Sequence, residues 1–380
     1  MAEVSIFAEM SALALQTGAV NLGQGFPDDD APAEVLEAAT AAIAEGLNQY
    51  PPGRGVPVLR EAIVRHQQRF RGIALDPERQ VLVTTGATEA LAASLMALAG
   101  PGAEVVTVEP FYDAYAAVLA MVGARHVTVP LVRDGDRFAL DLDALAAAVT
   151  PRTRVVVLNN PNNPSGHQFS RSELEAVIAA AAGVGATIVT DEVYEHLCFH
   201  APHIPVASLP GGFERTLTIS SAGKTFNVTG WKVGWVSGPG ELVDRVLGVK
   251  QWLTFATGTP FQHAVAVGLG LGDGFFEAAR ERLRDRRALL GDSLRAAGFD
   301  VMSPDAGYFT LADAAPLGID DAAAAVRAMA VDPGVVGIPY SAFCHPTAAT
   351  GRSWIRFAQC KDESVIAEAA RRLTGFQYPA

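Results

Sequence analysis

Cysteine is scarce in this chain. Only Cys198, Cys344 and Cys360 occur in 380 residues, far apart and with no Cys-x-x-Cys pair. That set excludes a disulfide framework and suits a reducing cytoplasm. Positive charge is also in deficit, 29 Lys+Arg against 41 Asp+Glu for a formal net charge of -12, with no run of basic residues. Nucleic acid is therefore not an expected partner. Long apolar runs are missing too: the longest, Ala176 to Val189, is rich in Ala and Gly and too short to span a bilayer. The N-terminus carries Glu3 and Glu9 where a secretory signal would be basic. These absences leave a cytoplasmic metabolic enzyme without membrane insertion as the expectation. No Gly-x-Ser-x-Gly nucleophile elbow is present. His196, His200 and His203 with Cys198 lack the paired spacing of a zinc site. They read as a solvated loop, and no metal is expected.

What remains is apolar and evenly spread: 49% hydrophobic and 18% charged residues, enough in a chain of this length for two filled cores. Strand-like runs at Val81–Thr85, Glu104–Val108, His126–Leu131, Val155–Asn159, Thr187–Asp191, Leu217–Ser220 and Val233–Ser237 alternate with helix-like stretches. Those stretches are Glu89–Ala99, Tyr112–Val122, Leu142–Val149 and Ser170–Ala182. Several strands lack polar alternation, as expected when helices cover both faces. The pattern predicts an α/β/α sandwich around a largely parallel sheet. After about residue 270 a charged helix, roughly Gly274 to Ala297, leads into short strands (Phe309–Ala312, Val335–Ile338, Ser353–Phe357) and a closing helix, Glu363–Leu373. The expected division is an arm over 1–35, a large unit over 36–270 and a smaller α+β unit over 271–380.

Open α/β sheets bind ligands at the carboxyl ends of their strands, and the chemistry-bearing residues follow strands. Ser221-Ala222-Gly223-Lys224-Thr225 puts a lysine in a turn of small residues, with Lys232 eight positions on. A lysine in a dry turn deprotonates more easily and can then condense with an aldehyde, while Ser221 and Lys232 suit an anion such as phosphate. The competing readings are an ordinary turn with a surface lysine and an ATP-binding P-loop. The P-loop needs a glycine where Thr218 stands. Gly86-Ala87-Thr88 opens a helix where backbone N–H groups can meet a phosphate, or is a plain strand–helix turn. Phe111-Tyr112 offers aromatic faces for a flat ring, or core packing.

Asn159-Asn160-Pro161-Asn162-Asn163-Pro164 holds more asparagines than one turn requires and reads as a ligand-facing loop. Asp191 ends an apolar strand, where a carboxylate needs a cation such as a protonated pyridine nitrogen, or else caps a helix. Tyr194 follows three residues on. Arg356, among Trp354, Ile355 and Phe357, calls for an anion, either a substrate carboxylate or a structural partner.

In this order the motifs resemble the fold type I, class I aminotransferases, from Asn21-Leu22-Gly23-Gln24-Gly25-Phe26-Pro27 through Asn48-Gln49-Tyr50 to Ile355-Arg356-Phe357. Within that family the chain is most similar to the kynurenine–oxoglutarate and methionine branch, and there to actinobacterial N-succinyldiaminopimelate aminotransferases. Ser-Ala-Gly-Lys-Thr-Phe-Asn-Val-Thr-Gly-Trp-Lys and Asp-Glu-Val-Tyr-Glu-His carry most of the likeness.

The resemblance implies pyridoxal 5'-phosphate held covalently by Lys224, Asp191 on its ring nitrogen, Asn163 and Tyr194 on its ring oxygen, and Tyr112 stacked on the ring. It implies phosphate contacts from Gly86, Ala87, Thr88, Ser221, Lys232 and a neighbouring subunit's Tyr50. The substrate carboxylate would fall to Arg356, Asn159 and the Gly25 backbone, and the side-chain pocket to Phe7 and a neighbour's Phe255. The implied reaction is ping-pong transamination with 2-oxoglutarate by a homodimer, with cysteine-conjugate β-lyase chemistry on the same scaffold as the alternative. No second arginine for a distal carboxylate stands out, which argues against aspartate as the favoured donor.

Overall fold

Apolar runs without alternation must be covered on both sides, and they lie next to one another in the folded chain. The computed structural model describes residues 5–348, 350–376 and 378. Residues 1–4 of the expected arm, and 349, 377, 379 and 380 of the expected C-terminal unit, lie outside it. The runs form an eight-stranded sheet in the order Val81–Thr85, Val233–Ser237, Thr216–Ser221, Thr187–Asp191, Thr153–Asn159, Glu104–Glu109, Arg125–Asp134, Arg137–Leu140.

The five strands from Thr216–Ser221 to Arg125–Asp134 are parallel. Val233–Ser237 runs against both its neighbours, and Arg137–Leu140 folds back on Arg125–Asp134. Successive side chains leave opposite faces: Val155 and Val157 enter one core with Leu91, Leu119 and Val243, while Val156 and Leu158 enter another with Leu174 and Ile178. The register sets Asn159 opposite Asp191, and Asp191 opposite Ile219, two residues before Ser221. Three site-bearing segments thus leave the sheet side by side.

A second, antiparallel sheet follows the order Asp300–Val301, Phe309–Asp313, Trp354–Ala358, Ile338–Pro339. It packs with the long helix Asp273–Ala296 and the helix Glu363–Leu373. The first residues join this body. The helix Ile6–Thr17 is capped by Ser5, whose hydroxyl accepts from the Ala8 N–H, and ends at Gly18 with φ +66. Val20–Asn21 then pairs in parallel with Val335–Val336. Met10 and Leu22 fall in one core with Leu294, Val326 and Phe357.

Three features differ from the expectations. The strand expected over Val335–Ile338 is two short pieces. Val335–Val336 pairs with the arm and Ile338–Pro339 with Trp354–Ala358, and the chain crosses so closely at Gly337 that a Cβ there would stand 2.4 Å from the Ile355 side chain. The arm carries a regular helix. Further helices at Ala33–Ala44, Pro57–Arg71, Gly240–Lys250, Thr259–Leu269 and Ala322–Val331 had no expectation, nor had the strands Val20–Asn21, Arg137–Leu140 and Asp300–Val301. Alanine-rich segments such as Ala322–Val331 show little polar contrast, and Pro57–Arg71 turns Arg60, His66 and Gln67 inward beside Leu59 and Ile63, which breaks its apolar stripe. Among the described residues no helix is long and apolar enough to cross a membrane.

Candidate active site

At the carboxyl ends of the central strands lies a cavity of about 520 Å³, bounded by the large sheet, the arm and the smaller sheet. Phe7, Gly25, Gly86, Ala87, Thr88, Tyr112, Asn159, Asn163, Asp191, Tyr194, Ser221, Lys224, Lys232 and Arg356 all line it. Tyr50 and Phe255 do not line the cavity of their own chain: they are 85% and 45% exposed and pack edge to face with ring centres 5.7 Å apart.

One end of the cavity is a cradle of backbone. Gly86 begins a 13-residue helix with φ +72, and no side chain caps that helix. A Cβ on Gly86 would stand 3.3 Å from the Lys232 ammonium, and one on Gly234 would press within 2.5 Å of the Gly86 carbonyl carbon. Glycine at both positions lets the turn and the lysine close on the same small space. Lys232 itself sits at φ +55 and has no carboxylate within 4 Å among the described residues. Uncapped N–H groups at a helix start, a free ammonium and the neighbouring Ser221 together suit a phosphate.

The middle of the cavity holds Asp191 and Lys224. Asp191 is 9% exposed. Its Oδ2 accepts from the Tyr115 hydroxyl at 3.0 Å and its Oδ1 from the Val193 N–H at 3.4 Å. No cation lies within 4 Å of this carboxylate among the described residues, and burial pushes its pKa up to about 6 despite those bonds and the charge on Lys224. Lys224 is held in the short helical turn Ala222–Thr225 and donates from Nζ to the Gly25 carbonyl at 2.7 Å. Burial, aided by Arg356 and Lys232, lowers its pKa to about 8. Tyr308 donates to the Lys224 carbonyl at 2.7 Å. Burial likewise raises Tyr112 to about 12 and Tyr194 further, so both phenols stay neutral.

Opposite stands Arg356, 1% exposed in the middle strand of the small sheet. Its guanidinium donates to Asn163 Oδ1 at 3.0 Å and to the Gly23 carbonyl at 2.6 Å, and its buried Nε has no partner among the described residues. The ring faces of Phe309, Phe343 and Phe7 surround it at 3.8, 4.6 and 5.3 Å, and no carboxylate is within 4 Å among the described residues. Burial lowers its pKa to about 10. Such a group is ready for an anion. Asn159 lines the cavity with its amide engaged at both ends: Nδ2 donates to the Asp191 carbonyl, and Oδ1 accepts from the Asn163 N–H.

The expectation of a solvated histidine loop is corrected. His203 is buried against Glu192 at 2.8 Å, and His196 shares a 2.7 Å contact with His66, both Nε2; His200 alone of the three is open. His66, Glu195 and His196 bring possible metal-ligating atoms together. Most of these atoms are engaged, though the buried His66 Nδ1 has no partner among the described residues. Glu195 takes Arg71 and Ser220, and the two imidazoles bond each other. Sequence reasoning missed Tyr115, Tyr308, Phe309 and Phe343, since buried aromatics carry no mark that separates them from core.

The model for the aminotransferase class I and II family matches residues 17–373. Among curated proteins, the probable N-succinyldiaminopimelate aminotransferase DapC of Mycobacterium tuberculosis is 51% identical over 378 residues, covering 97% of this chain and 95% of that protein. The methionine aminotransferase of Escherichia coli is 36% identical, covering 97% and 95%. A solved N-succinyldiaminopimelate aminotransferase from Mycobacterium tuberculosis superposes with a TM-score of 0.96 over 98% of this chain and 97% of that one, at 51% identity. A Thermus thermophilus aspartate aminotransferase superposes at 0.90 and 31% identity, covering 98% and 96%.

Proposed function

Because this chain belongs to the class I and II aminotransferases, we propose that the cavity binds pyridoxal 5'-phosphate and moves the amino group of N-succinyldiaminopimelate to 2-oxoglutarate. One observation carries the reading: two buried charges of opposite sign, Asp191 and Arg356, flank Lys224, and neither has a counter-ion within 4 Å among the described residues. The residues fit the coenzyme. The cradle at Gly86 and Lys232 takes its phosphate, Asp191 its ring nitrogen, and Asn163 and Tyr194 its ring oxygen. When bound, it supplies an aldehyde that condenses with amines and an electron-withdrawing ring.

The chain's own groups do the rest. Lys224 is an uncharged base over much of its population near its pKa of about 8, so it can take the proton from the substrate Cα and hand it back on the far side of the substrate's nitrogen. Asp191 keeps the ring nitrogen protonated, because an ionised partner relieves its own burial. Arg356 orients the substrate by its α-carboxylate, through the Nη hydrogens that are not tied to Asn163 and Gly23. Asn163 accepts from Arg356 through Oδ1, which leaves its amide N–H groups to donate. Phe7 and Phe26, both in the cavity wall, shield these groups from water.

Arg356→Lys keeps the charge but loses the fork, and is expected to raise the donor KM about 10- to 100-fold in steady-state assays. Reductive labelling of the coenzyme-free protein by a simple aldehyde is expected to modify Lys224 increasingly as pH rises through 8, ahead of Lys232, the one exposed lysine of the four in the chain. Peptide mapping reads this out. Labelling no faster than at Lys232 would refute the lowered pKa.

The donor follows the 51% identical relative. Support for a donor other than aspartate comes from the cavity wall, where Arg356 is the sole arginine among the lining residues. A donor panel with 2-oxoglutarate tests this: N-succinyldiaminopimelate should give the highest kcat/KM, above methionine and kynurenine. A higher value for aspartate would refute the donor.

We take 36–270 as the coenzyme-binding unit, with 1–35 joining 271–380, and propose a cytoplasmic homodimer. The exposure of Tyr50, Trp252 and Phe255 supports the dimer. Light scattering on the purified protein checks it, and a monomer at assay concentration would refute it.

A further inference from the structure

Lys250 is 1% exposed, yet no carboxylate lies within 4 Å of it among the described residues and the site does not use it. A lysine buried without an anion is costly and lasts only where its donors are matched. Its Nζ donates to two backbone carbonyls, that of Gly53 at 3.0 Å and that of Phe255. It stands at the end of the helix Gly240–Lys250, where a cation also meets the dipole. Beside it, the Thr259 hydroxyl donates to the Gln49 carbonyl at 2.6 Å. Two loops distant in sequence, 49–53 and 251–259, are thereby clasped together.

Each loop carries an outward aromatic ring. Tyr50 and Phe255 stack edge to face away from the cavity of their own chain, with Trp252 82% exposed beside them. Phe255 sits at φ +60, a conformation a bulky residue adopts only when its surroundings hold it. A bond from Nζ to the Phe255 carbonyl pulls that oxygen inward and leaves the ring outside. We propose that Lys250 is a positioning residue that sets Tyr50 and Phe255 for the active site of a second copy of this chain, not for its own. The inference rests on the homodimer proposed above.

Subunit mixing tests it. Lys250→Met is expected to raise the KM for methionine and the dissociation constant for pyridoxal phosphate, each about tenfold, with a smaller change in kcat. Lys250→Arg, which keeps two donors, should recover most of the loss. If the methionine variant does not fold, Lys250→Gln takes its place. The variant is then co-expressed with Lys224→Ala chains under two different affinity tags, and the hybrid is isolated.

In the hybrid, the single site with a lysine belongs to the Lys250→Met chain and receives its aromatic rings from an intact neighbour. Parental KM in the hybrid is the expected result. The reverse hybrid, a parental chain with a Lys224→Ala/Lys250→Met chain, should keep the raised KM. A defect that stays with the Lys250→Met chain's own site overturns the proposal, as does unchanged KM in the variant homodimer. A parental protein that light scattering finds monomeric overturns the dimer and the inference together, whereas a dimer with the wrong hybrid pattern overturns the inference alone.

Discussion

Lys224→Ala is expected to lower transamination by a factor of about 10^5 or more, near 7 kcal/mol of barrier. No neighbour can stand in. Lys232 is drawn to the Gly86 cradle, where its Nζ would stand 3.3 Å from a Cβ on Gly86, and Tyr194 and Tyr112 hold their protons well above neutral pH. Arg356 stays charged with its pKa near 10 and is committed to Asn163 and Gly23. Among the described residues Lys224 makes one side-chain hydrogen bond, to the Gly25 carbonyl, so its loss is expected to leave the fold intact. Thermal unfolding of the variant should match the parent within a few degrees, while glutamate formation is lost in hours-long assays. After borohydride treatment with pyridoxal phosphate, the parent should carry a pyridoxyl group on Lys224 and the variant none there. Turnover near the parental rate in the variant would end the assignment.

Asp191→Asn is expected to split activity from stability. Turnover should fall about 10^3- to 10^4-fold, because an amide cannot hold a proton on the ring nitrogen. The coenzyme-free variant should nonetheless be more stable than the parent at pH 7. The sign follows from the shift: the carboxyl rises from 3.8 in the unfolded chain to about 6 in the folded one. The folded state therefore binds more protons between those values, and stability falls as pH rises from about 4 to 6. Above pH 6 the full cost stands, about 1–3 kcal/mol, and asparagine removes it. Denaturant titrations of both proteins at pH 4 and pH 7 check this. The gap should be wide at pH 7 and nearly closed at pH 4, and an equal gap at both would refute the raised pKa.

Both predictions concern residues legible before any coordinates, and the reason is local. A parallel strand covered on two faces shows as an unbroken apolar run, so a polar residue at its end stands out. Asp191 after Thr187–Thr190 and Asn159 after Val155–Leu158 are such residues. Lys224 stood out for another reason, since its neighbours are small enough for a tight turn at a strand end. Helices with little contrast gave no such mark. Ala33–Ala44 and Ala322–Val331 are alanine-rich, and alanine suits helix, core and surface alike.

Sequence by itself determined seven strands of the large sheet, their order of appearance, and the chemistry that their ends carry, because those depend on neighbours within a few residues. Tertiary structure alone decided which groups meet. It brought Tyr115 to Asp191 across 76 positions, set Phe309 and Phe343 over Arg356, folded the arm so that Gly25 caps Lys224 from 199 positions away, and turned His196 and His203 inward. Burial without a counter-ion, which makes Asp191 hard to ionise and Lys224 easy to discharge, is a property of packing from all sides. No short stretch of chain encodes it, since the low-dielectric wall comes from segments hundreds of residues apart.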